Sequence, residues 1–175
     1  LVSMTLFDKP IGDISEDDLQ ALVDNQTQEQ KTLEFKGELP GGSDFAKKDF
    51  LADVSSFANA AGGCLVYGIQ QSKGENGRID LVGIEIADPD ALILQLTQII
   101  NSGIQPRIIG LTLGCLDLKN GRRVLIIRIP QSYVGPHMIT LQNSTRFCGR
   151  HSNGKYNLDV QEIRQAFLLS ATVAE

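Results

Sequence analysis

The stretch that decides the fold is Ser56-Phe57-Ala58-Asn59-Ala60-Ala61-Gly62-Gly63-Cys64-Leu65-Val66-Tyr67-Gly68-Ile69. Upstream of it, apolar residues recur at helical spacing from Phe45 to Ala61, which predicts an amphipathic helix. Asn59 and the two glycines then end that helix. The almost continuous apolar run from residue 64 to residue 69 predicts a strand that is buried on both faces. A helix that leads directly into a central strand indicates a fold in which helices cover a sheet.

Working outward, the neighbouring segments supply the rest of that sheet. The alternation in Thr32–Lys36 predicts a half-buried strand with Glu34 and Lys36 on one side. The dipeptide Asn120-Gly121 between two apolar runs predicts a β-hairpin. Further helices are expected after Ser15, after Asp88-Pro89 and after Asp159, where N-capping residues precede apolar stripes. The sequence therefore predicts one α+β (mixed α/β) domain, a mixed sheet with helices packed on it.

Composition narrows the functional classes. The chain has 175 residues, of which 42% are hydrophobic and 21% charged, values typical of a globular domain. Its apolar runs are far shorter than the roughly 20 residues that a membrane span needs, so we expect no membrane association and a cytoplasmic location. Three widely spaced cysteines and two histidines argue against a disulfide framework and against a zinc site. No phosphate-binding loop or nucleophile-elbow motif is present.

Charge is distributed unevenly along the chain. The formal net charge is −5, yet residues 91–158 carry eight bases and only one acid, Asp117. Such a basic segment can bind phosphates even in an acidic protein, because screening limits electrostatic effects to about 8 Å at physiological salt. The alternative is that these bases pair with the acidic half of the chain across the fold. The sequence leaves both possibilities open.

Two groups of residues could carry chemistry. The first is the basic run from Arg146 to Lys155, whose Arg, Lys, Ser and Asn side chains suit phosphate oxygens. The second is the carboxylate pair Glu29 and Glu34, which could hold a divalent metal for phosphodiester hydrolysis. Either group could equally be an ordinary solvated surface.

Three segments together resemble one known family. They are Glu29…Glu34-Phe35-Lys36, the stretch 56–69 quoted above, and Thr145-Arg146-Phe147…Gly149-Arg150…Glu162-Ile163. This pattern resembles the schlafen-type AlbA-like domain, a bacterial family of DNA-binding and transcription-regulator-like domains. The resemblance implies an AlbA-like/schlafen core over residues 29–168, preceded by a lead-in with a short helix (1–28) and followed by a tail (169–175).

The resemblance also indicates which residues a catalytic site of this family would need. Some schlafen relatives cleave tRNA-like RNA with three acids, two of them in an E-x-x-x-x-E-F-K motif that Glu29 and Glu34 match. The third acid follows the apolar strand, where this sequence has Gln70-Gln71. A neutral glutamine is a poor ligand for a hard cation, so this departure speaks against a three-carboxylate metal site.

The leading hypothesis is therefore a non-catalytic nucleic-acid-binding regulatory domain, with DNA as the first candidate ligand and no cofactor. Its expected contacts are the following: Lys36, Lys47, Lys48, Arg146, Arg150, His151 and Lys155. One alternative is a ribonuclease that uses Glu29 and Glu34 with Mg²⁺ or Mn²⁺. Another is a protein-interaction or oligomerisation module, for instance a homodimer.

Overall fold

The computed structural model describes residues 8–72 and 77–173. Within them lie four α-helices: α1 (Glu16–Asp24), α2 (Asp44–Ala58), α3 (Pro89–Gly103) and α4 (Val160–Val173). Three begin at the capping residues that the sequence predicts. Ser15 and Asp18 form a capping box at α1, Asp88 caps α3 ahead of its proline, and Asp159 exchanges hydrogen bonds with Glu162 at α4. Local capping thus sets where these helices start.

The strands of the described residues form a mixed set of sheets. They are β1 (Leu33–Lys36), β2 (Gly63–Tyr67), β3 (Ile69–Gln71), β4 (Ile79–Leu81), β5 (Ile104–Gln105), β6 (Thr112–Asp117), β7 (Arg123–Ile129), β8 (Met138–Ile139), β9 (Arg146–His151) and β10 (Gly154–Asn157). The first sheet has the order β1-β2-β7-β6, the second β10-β9-β8-β5, and β3 pairs with β4. Only β1 and β2 are parallel; the other pairs are antiparallel. The architecture is α+β, as the sequence predicts.

The first sheet is buried on both faces. Leu65 and Tyr67 of β2 belong to a core shared with α2 and α3, whereas Cys64 and Val66 belong to a second core on the opposite face. All five residues of β2 are buried, which confirms the prediction from the apolar run. The second core is closed by α1, whose Leu19 and other apolar residues are fully or almost fully buried. The lead-in helix is therefore part of the packed structure.

Asn59 connects the end of α2 to the second sheet. Its Nδ2 donates to the carbonyl oxygens of His137 and Cys148, both at 2.9 Å, and its Oδ1 accepts from the His137 backbone N–H at 2.7 Å. Each of these backbone groups would otherwise need another partner. One side chain thereby ties the segments before β8 and within β9 to the helix.

Gly62 and Gly63 let the chain turn from α2 into β2 without a collision. Both have positive φ, +71° and +150°, where residues with a Cβ are strained. A Cβ on Gly63 would lie 2.3 Å from the Thr32 carbonyl oxygen, and one on Gly62 would lie 2.5 Å from the Gln131 nitrogen. Glycine at both positions therefore permits a close approach between the end of α2 and the sheet.

Two segments differ from the sequence-based expectation. The hairpin at Asn120-Gly121 forms as predicted, but the apolar run from Ile108 to Leu118, which predicts its first strand, is a strand only from Thr112 to Asp117. The basic run Arg146–Lys155, in which the glycines suggest a turn, forms a β-hairpin of β9 and β10 in which Arg150 pairs with Lys155. The strand β10 is hard to predict from the sequence, because the run contains glycines and the polar–apolar alternation in β10 covers only a few residues. None of the helices in residues 8–72 and 77–173 is long and apolar enough to cross a membrane.

Replacing Gly63 with alanine should lower the free energy of unfolding by about 2–4 kcal/mol, because the new Cβ would press on the Thr32 carbonyl in a strained backbone conformation. Gly154→Ala is the matched control, since Gly154 also has positive φ (+125°) but faces open space. Chemical denaturation measures both changes. Equal losses in the two variants would show that the close approach to Thr32 contributes nothing.

Candidate functional site

Six charged side chains from β1, α2 and the β9–β10 hairpin meet in what we call the ion-pair cluster: Glu34, Lys36, Asp49, Asp53, Arg150 and Lys155. The pleat of β1 buries Leu33 and Phe35 on one face, which turns Glu34 and Lys36 towards α2. On α2, Asp49 and Asp53 are four residues apart and so share one side of the helix. The hairpin register then brings Arg150 and Lys155 opposite each other.

The cluster is a continuous chain of ion pairs. Lys36 Nζ lies 2.9 Å from Glu34 Oε1 and 3.3 Å from Asp53 Oδ2. Lys155 Nζ lies 2.6 Å from Asp53 Oδ1 and 2.8 Å from Asp49 Oδ1. Arg150 Nη1 donates to Glu34 Oε2 at 2.6 Å. Three cations thus face three carboxylates, so the cluster as a whole is electrically balanced.

Arg150 is the most enclosed cation of the cluster. It is only 4% exposed, and its guanidinium carbon lies 4.0 Å from the centre of the Phe57 ring. Its Nε also donates to the Lys31 carbonyl oxygen at 3.2 Å. The planar guanidinium suits this combined role, because it can stack on a ring while its edge donates to a carboxylate. Arg150 therefore joins the hairpin to β1 and to the end of α2.

The pKa values in the cluster depend on two effects: burial, which disfavours the charged form of a group, and the charges of the neighbouring residues. Burial alone would raise the pKa of Glu34, but Lys36 and Arg150 outweigh it and hold that pKa below its usual value. Burial also opposes the charge of Lys36, yet Asp53 and Glu34 raise its pKa overall. For Asp53, burial and the nearby Glu34 charge win, and the pKa is raised. Lys36 consequently stays charged at neutral pH and bridges the two acids.

Glu29 and Glu34 do not form an open metal site. Glu29 Oε1 accepts the Phe35 backbone N–H at 2.7 Å, and burial raises the pKa of its carboxyl. Both oxygens of Glu34 are already engaged by cations. Across residues 8–72 and 77–173, no group of three His, Cys, Asp or Glu side chains is arranged to hold a metal ion. The residues present therefore do not fit the Mg²⁺ or Mn²⁺ that the nuclease alternative requires.

A groove of about 860 Å³ opens beside the cluster. Lys36 and Asp53 lie at its charged end, and Tyr67 and Gln70 lie along its wall. Gln70 is one of the two glutamines, Gln70-Gln71, at which the resemblance expects the third acid, so an amide rather than a carboxylate lines the groove there. The groove rim also carries Phe45, which is 83% exposed.

The remaining predicted contacts lie outside the cluster. Arg146 is exposed at the start of β9, and its Nε and Nη2 donate to Asn157 Oδ1 at 3.2 and 3.1 Å. His151 is exposed at the hairpin turn and stacks on Tyr156, with ring centres 4.1 Å apart and planes 5° from parallel. Lys47 and Lys48 are half-buried on α2. No ion pair among the described side chains joins these two lysines to the cluster.

The match to protein families covers most of the chain. The Schlafen, AlbA_2 family model matches residues 29–159. The chain belongs to the Schlafen AlbA_2 family. The resemblance drawn from the E-F-K strand and the glycine-ended helix is therefore confirmed. Of the residues that carry it, Glu34, Lys36 and Arg150 belong to the ion-pair cluster, and Gly62 and Gly63 form the tight turn into β2. A search of curated proteins finds no match.

Solved structures share the fold at low sequence identity. One is the DIP2311 protein of Corynebacterium diphtheriae, with 20% identity, a TM-score of 0.56, and coverage of 85% of this chain and 27% of that protein. Another is the N-terminal domain of a RecG-related protein from Nitrosomonas europaea, named for an ATP-dependent DNA helicase. It is 21% identical in sequence, with a TM-score of 0.55, and the match covers 76% of this chain and 84% of that domain. This chain spans about a quarter of the Corynebacterium protein.

Sequence analysis missed two features of the site. In the amphipathic pattern of the helix, Asp53 falls off the apolar stripe of Phe50, Val54 and Phe57, which suggests an outer position, but it is 1% exposed and forms ion pairs with two lysines. An acid within the apolar segment Phe50-Leu51-Ala52-Asp53-Val54 was the available signal, because a buried carboxylate needs cationic partners. Lys31 was also missed; it is exposed and adjoins the hairpin through its carbonyl group.

Replacing Glu34 with glutamine should lower the free energy of unfolding by about 3–5 kcal/mol, because Arg150 would be left buried without its carboxylate. Asp80→Asn is the matched control, since it removes an acid from the exposed Arg78–Asp80 pair and should cost no more than about 1 kcal/mol. Urea unfolding of both variants provides the measurement. A loss for Glu34→Gln as small as that of the control would contradict a structural role for the pair.

Proposed function

We propose that this domain is a nucleic-acid-binding module, with DNA as its first candidate ligand, that serves in regulation and does not cleave the nucleic acid it binds. The observation that carries the proposal is the position of Arg146 and His151 on the exposed β9–β10 hairpin. Arg146 is bonded to an amide oxygen rather than to a carboxylate, so its positive charge is not neutralised by its hydrogen-bond partner. An arginine in that state is suited to a phosphate oxygen.

We give the name hairpin surface to the exposed polar residues of the hairpin together with the exposed lysine just before β1: Lys31, Arg146, His151, Ser152 and Asn153. All five residues are exposed. The rings of His151 and Tyr156 stack on each other beside the turn and restrict each other's orientation. Phe147 does not add a second exposed ring, because it packs edge-on against Phe167 with ring centres 6.1 Å apart. Phosphate contacts, rather than base stacking on Phe147, therefore dominate the proposed interaction.

The ion-pair cluster has a different role in this proposal. Arg150, Lys36 and Lys155 were all expected to contact phosphate, yet each is paired with carboxylates inside the fold. A phosphate would have to displace those carboxylates to reach them, which costs desolvation and ion-pair energy. We therefore assign these three cations to holding the hairpin in place, while the hairpin surface makes the contacts.

The absence of nuclease activity remains part of the proposal. It is supported by the engaged oxygens of Glu29 and Glu34 and by glutamine at position 70. Cleavage of structured RNA that depends on Mn²⁺ or Mg²⁺ and disappears in Glu34→Gln would contradict it. We also propose that the domain forms a homodimer and that it is cytoplasmic. Light scattering of the purified chain tests whether it is a homodimer.

Binding of labelled duplex DNA, single-stranded DNA and tRNA should weaken as salt rises from about 50 to 200 mM, with a log–log slope near −0.9 for each phosphate neutralised on a duplex. Arg146→Ala should weaken binding to every sequence alike and make that slope shallower by about one contact. Fluorescence anisotropy measures the affinities and slopes.

Arg78→Ala is the matched control for this experiment. It removes the same charge from another exposed arginine, one that is paired with Asp80 on the β3–β4 side of the fold. We expect its slope to equal that of the unaltered protein. Equal effects of the two substitutions would indicate a diffuse electrostatic attraction and would contradict the hairpin surface. Undetectable binding of all three ligands at low salt would overturn the proposal itself.

A further inference from the structure

A second group of reactive side chains lies apart from the ion-pair cluster. Ser132 follows β7, and His137 precedes β8. Ser132 Oγ lies 2.6 Å from His137 Nε2, and His137 Nδ1 lies 2.6 Å from the Pro106 carbonyl oxygen. The histidine is completely buried, whereas Ser132 is half-buried. The proposed nucleic-acid function uses neither residue.

The hydrogen bonds determine where the imidazole proton lies. A carbonyl oxygen can only accept, so the nitrogen that contacts Pro106 must carry the proton. Burial lowers the pKa of His137, and the Pro106 carbonyl opposes this only in part, so the ring is neutral at pH 7. Nε2 then has a free lone pair, and the Ser132 hydroxyl donates to it. This is the proton arrangement of a serine whose general base is ready to accept its proton.

The histidine is held firmly from its backbone side as well. Asn59 accepts from the His137 N–H and donates to the His137 carbonyl oxygen. The ring is therefore fixed by the Pro106 carbonyl and the backbone by the end of α2. A general base positioned in this way needs little reorganisation when it accepts a proton.

The serine opens onto a cleft of about 280 Å³. Ala166, Leu169 and Val173 of α4 form one wall, and Tyr133 and Pro136 form part of the other. These side chains are mainly apolar, and the volume is small compared with pockets for drug-sized ligands. The cleft therefore suits a short acyl chain that carries one reactive carbonyl group.

We propose that Ser132 and His137 form a nucleophile–base pair that accepts acyl groups from small esters with short apolar acyl chains. Ser132 Oγ attacks the ester carbonyl carbon while its proton passes to His137 Nε2. The bond from that carbon to the alcohol oxygen then breaks, and the departing alcohol takes the proton from His137. Water, activated by the same histidine, cleaves the acyl-serine ester and releases the acid, which restores both residues.

The test uses an alkyl fluorophosphonate, which attaches to an activated serine as the oxygen–phosphorus bond forms and fluoride leaves. Mass spectrometry of the intact chain and of its peptides should find one label, on Ser132. Ser132→Ala should abolish labelling. Ser170→Ala is the matched control, because Ser170 lines the same cleft but donates to the Phe167 carbonyl oxygen, and it should label normally. His137→Gln should slow labelling by about 10²-fold or more.

The pH profile separates an activated serine from a purely structural hydrogen bond and needs no variant. The labelling rate of the unaltered protein should fall as pH drops through the lowered His137 pKa, below the ordinary value of 6.5, because a protonated imidazole cannot accept the serine proton. Circular dichroism confirms that each variant is folded. Failure of Ser132 to label, or equal labelling in Ser132→Ala, would overturn the proposal without affecting the DNA-binding one.

Discussion

The buried pairing of Arg150 with Glu34 is the constraint on which the arrangement of this domain depends. The β9–β10 hairpin and β1 belong to different sheets, and the two residues are 116 positions apart in the sequence, a separation that spans most of the fold. A buried charge without its partner would strongly destabilise the fold, so this ion pair fixes the position of the hairpin relative to β1. Lys36, Asp53 and Lys155 extend the same constraint to α2. The cluster thus acts as the junction between the two four-stranded sheets.

This junction explains why a basic segment need not be a binding surface. The sequence leaves open whether the bases of residues 91–158 bind phosphates or pair with the acidic half of the chain. Arg150 and Lys155 pair with the acidic half of the chain, because their partners Glu34, Asp49 and Asp53 all lie upstream of residue 91. Arg146 is instead exposed at the start of the same strand, and its hydrogen-bond partner is the amide of Asn157. A one-dimensional charge count cannot separate such residues, because pairing depends on the sheet register.

Local signals predicted more of the fold than of the site. The central strand β2, the start of α3 at Asp88 and the turn at Asn120-Gly121 each depend on residues close in sequence, and all three are found where expected. The cluster instead joins residues from Glu34 to Lys155, and the bond between Ser132 and His137 depends on how the loop between β7 and β8 folds. These contacts follow from long-range packing, which periodicity and capping do not encode.

The second core has a practical consequence for anyone who isolates this domain. The family match begins at residue 29, yet Ile14, Leu19, Leu22 and Val23 are buried against the sheet face that carries Leu33 and Val66. Burial of each such side chain contributes about 1.5–3 kcal/mol, so together they approach the total stability of an average domain, about 5–15 kcal/mol. A chain trimmed to the family boundary would expose an apolar sheet face to solvent. It would tend to aggregate, and a protein trimmed in this way could be mistaken for one that lacks function.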